Sequence, residues 1–121
     1  MNILVTGAGG QLGKALRQIS ELSGHRCLFT DVRPEGEVVA LDITDGNAVA
    51  HMLDEYDIDI VVNCAAYTDV ERAETDVENA RRINAFAAGV VAGEVARKNI
   101  SLIHVSTDYV FDGQSNKPYD E

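Results

Sequence analysis

The sequence predicts an α/β fold, a doubly wound parallel sheet with helices on both faces. Three features carry that prediction: strand-like segments that are almost wholly apolar, helix-periodic stretches lying between most of them, and a first strand that runs straight into glycines. An apolar strand must be covered on both sides, and strand–helix alternation supplies the cover through right-handed crossovers.

The elements follow in order. "NILVT" is a short continuous apolar run suited to a strand buried on both faces. Leu12, Ala15, Leu16, Ile19 and Leu22 recur at three- and four-residue steps, which predicts a helix with one apolar stripe, and Gly24 is placed to end it. "RCLFTD" and "EVVALD" read as the second and third strands, with "RPEG" as the turn between them. A helix is expected from about Asp45 to Tyr56, with Val49, Met52 and Leu53 on one side, and "IDIVVNCAA" follows as a β-branched strand. From about Thr75 to Lys98 a long helix is expected, its small-residue stripe of Ala80, Ala87, Val91 and Val95 interrupted by Asn84. "ISLIHVS" is the last strand.

Composition narrows the function. The 121 residues suit one domain but are few for an enzyme that must hold both a cofactor and a substrate. No apolar run approaches the roughly 20 residues of a membrane span, and the N-terminus lacks the basic start and apolar core of a signal peptide, so no membrane partner and a cytoplasmic setting are expected. A net charge of -10 opposes a phosphate backbone, so no nucleic-acid partner is expected, and an anionic ligand would need backbone donors or a few placed cations. Cys27 and Cys64 lie in apolar runs and match no metal or redox spacing, which reads as reduced, buried thiols and no metal site.

"TGAGGQLG" places Gly7, Gly10 and Gly13 at three-residue steps between the first strand and the first helix. One glycine permits the tight turn, one lets a pyrophosphate approach the backbone, and one lets the helix sit close to the strand. The helix start then offers free N–H donors, so a Rossmann-like dinucleotide site is expected. Asp31, ending the second strand, lies near the spacing at which a carboxylate reaches the adenosine ribose, which favours NADH; Arg33 reads either as a 2′-phosphate contact, which keeps NADPH open, or as a solvated loop cation.

Each strand ends at its carboxyl side in a group able to hydrogen-bond: Thr6, Asp31, Asp42, Asn63, and Ser106 with Thr107. In an open parallel sheet these ends share one edge, and ligands bind in the crevice outside it. Asp42 and Ile43 would border the adenine, while Ala65, Ala66, Tyr67 and Thr68 would face the middle of the cofactor. Asn84 reads as a tie between helix and strand ends, and His104 as a packed strand residue.

"TGAGGQLG", "VVNCAAYTDVERAE" and "VSTDYVFDG" together resemble the extended short-chain dehydrogenase/reductase superfamily, and within it the dTDP-4-dehydrorhamnose reductase family, over the whole chain. The resemblance implies NADH- or NADPH-dependent reduction of the C4 keto group of a dTDP-4-dehydro-sugar, dTDP-4-dehydro-L-rhamnose, in making dTDP-L-rhamnose for surface polysaccharide. By motif it implies Gly10, Gln11 and Leu12 as the pyrophosphate loop, Asp31, Asp42 and Ile43 as adenosine contacts, and Ala66, Tyr67 and Thr68 along the cofactor. Thr107 and Asp108 would lie at the catalytic centre, the hydroxyl holding the reacting oxygen where charge develops and Asp108 orienting the substrate.

One part of the pattern is missing. The proton donor of the superfamily is a Tyr in Tyr-x-x-x-Lys, but Ile60, Glu71 and Gly113 stand four positions after Tyr56, Tyr67 and Tyr109, and Tyr119 has no such position left. The chain is therefore expected to be the N-terminal segment of a longer reductase, inactive by itself, with a homodimer expected only of the full-length protein. Two alternatives keep the fold: a non-catalytic regulatory or binding subunit, like that of methionine adenosyltransferase, or a related sugar-nucleotide epimerase or dehydratase.

Overall fold

The computed structural model describes residues 1–107 and 111–120. Five strands form one sheet: β1 (Asn2–Thr6), β2 (Arg26–Asp31), β3 (Val39–Ala40), β4 (Ile60–Asn63) and β5 (Ser101–His104). Their order is β3-β2-β1-β4-β5 and every pairing is parallel, so the predicted doubly wound sheet is present. The chain first moves outward from β1 to β2 and β3, then crosses back to β4 on the other side of β1. That reversal makes the carboxyl ends of β1 and β4 a switch point, where an open parallel sheet forms a crevice.

Handedness decides the layers. The helix α1 (Gln11–Ser20) joins β1 to β2, whereas α2 (Gly46–Glu55) joins β3 to β4 in the opposite direction. Right-handed crossovers therefore put α1 on one face and α2 on the other. The segments after β4 share the α2 face: α3 (Val70–Thr75), α4 (Val77–Arg81), a π-helical turn (Arg82–Ala87) and α5 (Ala88–Arg97).

The core lies beneath α2 and α5. Leu4 pairs in register with Leu28 and Val61, and Val61 with Leu102. Period-2 alternation sends this row to one face, where Val49, Met52, Leu53, Ala87, Val91 and Val95 close over it. The expected stripe of the second helix thus packs, as do Ala87, Val91 and Val95 of the last one, while Ala80 stays outside the core cluster. Asp45 fixes the start of α2 by accepting hydrogen bonds from the N–H groups of Asn47 and Ala48.

Several expectations about the elements change. Leu12, Ile19 and Leu22 stay 42%, 58% and 88% exposed, because α1 stands alone on its face among the described residues and has no neighbouring helix to cover its flank. The third strand shrinks to two residues. The expected helix from Thr75 is broken at Asp76, where φ -115° and ψ 47° leave the helical region, and again by the π-helical turn. The short α3 falls in a stretch that sequence periodicity leaves unassigned.

Candidate functional site

The glycine loop is built by close packing. Gly7 holds φ at 68°, a left-handed conformation that side chains rarely adopt. A Cβ there would also lie 2.6 Å from the Ala65 backbone, so the turn sits directly against the loop after β4. A Cβ on Gly13 would stand 2.4 Å from the Gly7 carbonyl oxygen and 2.6 Å from Ala8 Cα, which shows how closely α1 is drawn onto β1. Gly10 caps α1 with no side-chain hydrogen bond, and the first turn carries no acidic residue. The N–H groups of Gln11, Leu12 and Gly13 therefore face no carboxylate from their own helix, whereas α2 and α3 have theirs engaged by Asp45 and Asp69.

Asp31 ends β2 beside this loop. One carboxylate oxygen accepts the Gly9 N–H at 2.9 Å and the other accepts the Arg33 N–H at 3.0 Å. Arg33 itself is exposed. At the next strand end, Asp42 accepts from the Thr44 hydroxyl at 2.7 Å and from the Thr44 N–H at 2.9 Å. These two bonds, and more weakly the nearby Arg82 guanidinium, hold the Asp42 carboxyl below its usual range. Ile43 is 6% exposed and belongs to the core, so only its backbone can face a ligand.

Across the switch point runs a polar row. Thr6, Asn63 and His104 are register partners on neighbouring strands. The Thr6 hydroxyl donates to Asn63 Oδ1 at 2.5 Å, the Ala65 N–H donates to the same oxygen at 3.3 Å, and Asn63 Nδ2 lies 3.1 Å from His104 Nδ1. With its oxygen taken by two donors, Asn63 presents its NH₂ to the ring, so His104 Nδ1 acts as acceptor and Nε2 carries the proton. His104 is exposed rather than packed, because β5 is an edge strand of this sheet. Its ring, Asn84, Ala65, Ala66, Ser106 and Thr107 line a cleft of about 50 Å³. A second recess of about 60 Å³, near Asn2, Arg26 and Tyr56, lies at the amino ends of the strands, away from the edge where such sheets bind ligands.

The loop after β4 carries Ala65, Ala66, Tyr67 and Thr68 along the same edge. The Tyr67 N–H donates to Asn84 Oδ1 at 2.7 Å, and Asn84 Nδ2 donates to the Tyr67 carbonyl at 3.0 Å. Asn84 thus ties helix to strand end as its sequence position suggests. The Tyr67 hydroxyl donates to Asp76 at 3.2 Å; desolvation, then this carboxylate, raise the phenol above its ordinary value, which makes it a poor proton donor near neutral pH. Cys27 and Cys64 are free thiols that are only half-buried rather than buried as expected, and partial desolvation raises the Cys64 thiol. No group of three His, Cys, Asp or Glu side chains among the described residues is placed to hold a metal.

The fold therefore brings Gly7, Gly10, Gln11, Leu12, Gly13, Asp31, Asp42, Ala65, Ala66, Tyr67, Thr68 and Thr107 to one edge of the sheet. Asp108 lies outside the described residues, as does Tyr109. Sequence reading passed over Thr44, Arg82 and Asp76. Each acts through a tertiary partner rather than a motif, although Asp42-Ile43-Thr44 is a readable Asx-type turn.

A parallel sheet with a glycine turn at its switch point and polar strand ends along one edge defines a Rossmann-like domain of the doubly wound class. The family model described as "RmlD substrate binding domain" matches residues 1–121, and the chain belongs to that family. Among curated relatives, a probable low-salt glycan biosynthesis reductase of Haloferax volcanii is 41% identical over 100% of this chain and 42% of its own length. The dTDP-4-dehydrorhamnose reductase of Aggregatibacter actinomycetemcomitans is 38% identical over 98% of this chain and 39% of its own length. The methionine adenosyltransferase 2 subunit beta of Pongo abelii is also 38% identical, over 98% and 36%. A solved dTDP-4-dehydrorhamnose reductase of Bacillus anthracis, in complex with NADP, superposes with a TM-score of 0.81 at 35% identity, covering 95% of this chain and 39% of that one. The chain spans about two fifths of the length of the curated relatives it matches.

Proposed function

We propose that this chain is the cofactor-binding part of an NAD(P)H-dependent sugar-nucleotide reductase acting on a dTDP-4-dehydro-sugar. The observation that carries the reading is the start of α1. It lacks a capping side chain and any first-turn carboxylate in a protein of net charge -10, and it faces the switch point of the sheet. Such a helix start suits a pyrophosphate, and the surrounding residues fit the rest of a dinucleotide. The N–H groups of Gln11 and Leu12 would hold the phosphates, Asp31 and Asp42 the adenosine, and Ala65 to Thr68 the middle of the cofactor.

When bound, a reduced nicotinamide supplies a hydride to the substrate carbonyl carbon. The chain's own residues orient and stabilise. Thr107, on the cleft beside Ala65 and Ala66, has a hydroxyl able to hydrogen-bond the carbonyl oxygen as negative charge gathers on it. The proton that completes the alcohol is assigned to a donor outside these residues, because no tyrosine here is followed four positions on by a lysine. The segment is therefore proposed to bind cofactor without turnover, within a longer cytoplasmic protein that forms a homodimer.

Titrating the chain with NADH and NADPH by fluorescence tests the first step: saturable binding is expected, and binding of neither overturns the reading. Turnover of dTDP-4-dehydro-L-rhamnose by a longer protein containing this chain tests the second. The likeness to a methionine adenosyltransferase subunit supports a second reading, in which the fold is kept for binding alone. That reading expects cofactor binding with no reduction of any keto-sugar nucleotide by the longer protein.

A further inference from the structure

We propose that Arg82 determines which base the adenosine end of the site accepts, as a positioning residue that acts through the Thr44 hydroxyl on the Asp42 carboxylate. The inference rests on the reading that the sheet's carboxyl edge binds NAD(P)H.

Between β3 and α2 the chain alternates. Leu41 and Ile43 lie in the core cluster, so Asp42 is turned outward at the edge of the sheet. The Leu41 N–H donates to the Asp31 carbonyl at 3.0 Å and the Asp45 N–H to the Asp42 carbonyl at 3.1 Å, which fixes the backbone on both sides. The freedom that remains is in the side chain. Asp42 Oδ1 accepts the Thr44 N–H at 2.9 Å and the Thr44 hydroxyl at 2.7 Å. Asp42 Oδ2 accepts no hydrogen bond among the described residues, and the Arg82 guanidinium stands 3.9 Å from it.

Arg82 governs how that carboxylate is presented. Its guanidinium donates to the Thr44 hydroxyl oxygen at 2.9 Å. A hydroxyl has one proton, and a cationic donor on its oxygen turns that proton away, toward the acceptor on the other side, Asp42 Oδ1. Arg82, Thr44 and Asp42 thus form a one-way chain of donors that fills Oδ1 and leaves Oδ2. An ionised carboxylate only accepts, so the ligand group that meets Oδ2 must be a donor. Adenine carries an exocyclic amine, whereas hypoxanthine has a carbonyl oxygen at the same position and would set two acceptors against each other. A site built around a fixed hydrogen-bonding group rejects an analogue that leaves the group unpaired. The positive charge of Arg82 also offsets Asp42 in a chain of net charge -10, where an anionic cofactor has to settle. Because Arg82 is exposed, its replacement leaves no core cavity, and its effect can be read apart from global stability.

The test uses the 121-residue chain and two fluorescent probes: NADH or NADPH, whichever binds the wild type more tightly, and the same molecule with hypoxanthine in place of adenine. Arg82→Ala is expected to bind the adenine probe roughly fivefold more weakly and to lower the preference for it by a similar factor, with melting changed by less than about 4 °C. Arg82→Lys, which keeps a cationic donor, is expected to restore part of the preference. Thr44→Val removes the hydroxyl and is expected to lower the preference as Arg82→Ala does, and the two changes together to lower it no further, since both cut one chain. Arg81→Ala removes the same charge from the neighbouring exposed residue and is expected to leave the preference unchanged. An unchanged preference in Arg82→Ala overturns the inference, as does a wild type that binds both probes equally, while wild-type binding leaves the cofactor reading standing. An equal fall in Arg81→Ala overturns it too, because net charge alone then accounts for the effect. Wild-type chain that binds neither NADH nor NADPH overturns both readings. Should Arg82→Ala fail to fold, Thr44→Val decides by the same ratio.

Discussion

Thr6 and Asn63 are register partners on adjacent strands, and the Thr6 hydroxyl donates to Asn63 Oδ1 at 2.5 Å with both residues 1% exposed. This pair closes the sheet at its switch point. Asn63→Leu leaves the Thr6 hydroxyl buried without its acceptor and is expected to cost about 1–3 kcal/mol. Thr6→Val combined with Asn63→Leu removes both partners, so the double variant is expected to be more stable than the sum of the single losses predicts. Urea denaturation of the four proteins measures this, and simple additivity refutes the coupling.

The glycines of the loop are predicted to differ sharply. Gly13→Ala forces a methyl group to within 2.4 Å of the Gly7 carbonyl, so helix and strand must separate. A loss of about 2–3 kcal/mol is expected, together with loss of cofactor binding. At Gly9 the nearest atom to a new Cβ is Asp31 Oδ2 at 3.2 Å, the end of a side chain that can yield. Gly9→Ala is therefore expected to change stability by less than about 1 kcal/mol. Comparable losses in thermal melts of the two variants count against the packing account.

Asp31 is predicted to govern the choice of cofactor. Its carboxylate is anchored by the Gly9 and Arg33 N–H groups, and in the proposed site it would set a negative charge beside an adenosine 2′-phosphate. Asp31→Asn keeps an acceptor and removes the charge. The ratio of NADH to NADPH affinity is expected to fall by roughly tenfold in this variant. Equal changes in both affinities show that the carboxylate does not discriminate.

Asp42 gives a pH dependence with a definite sign. Its folded carboxyl lies below the ordinary value because Thr44 donates to it twice and Arg82 lies near. The stability it contributes is fully present above the unfolded value of about 3.9 and is lost as pH falls through the folded value. The stability difference between wild type and Asp42→Asn is therefore expected to stay level from pH 7 to about 5 and to shrink below about 4. A difference that grows on acidification contradicts this assignment.

Most of the sheet was legible because the strands of a parallel sheet are rich in apolar and β-branched residues, and "NILVT", "RCLFTD" and "ISLIHVS" each contain the strand they predict, although β5 at the edge is mostly exposed. The glycine turn was legible for a similar reason: a left-handed φ at Gly7 and backbone contact at Gly13 exclude a side chain, so the requirement is written in residue type. The exposure of the α1 stripe was not legible, because periodicity marks an apolar face without saying what lies against it. Nor was the π-helical turn, since one extra residue per turn leaves no mark in an alanine-rich stretch.

By itself, then, the sequence determined the succession of strands along the chain, the glycine turn, and the polar residues at or just beyond the carboxyl ends of the strands. Those are local matters, set by side-chain size, backbone freedom and alternation over a few residues. Only the tertiary structure decided that Thr6, Asn63 and His104 form one row, that Arg82 meets Thr44, and that Asn84 holds the Tyr67 peptide. These pairs lie 17 to 57 residues apart, and the register of parallel strands together with the direction of each crossover brings them into contact. A hydrogen bond depends on tenths of an ångström across the sheet, which no local pattern encodes.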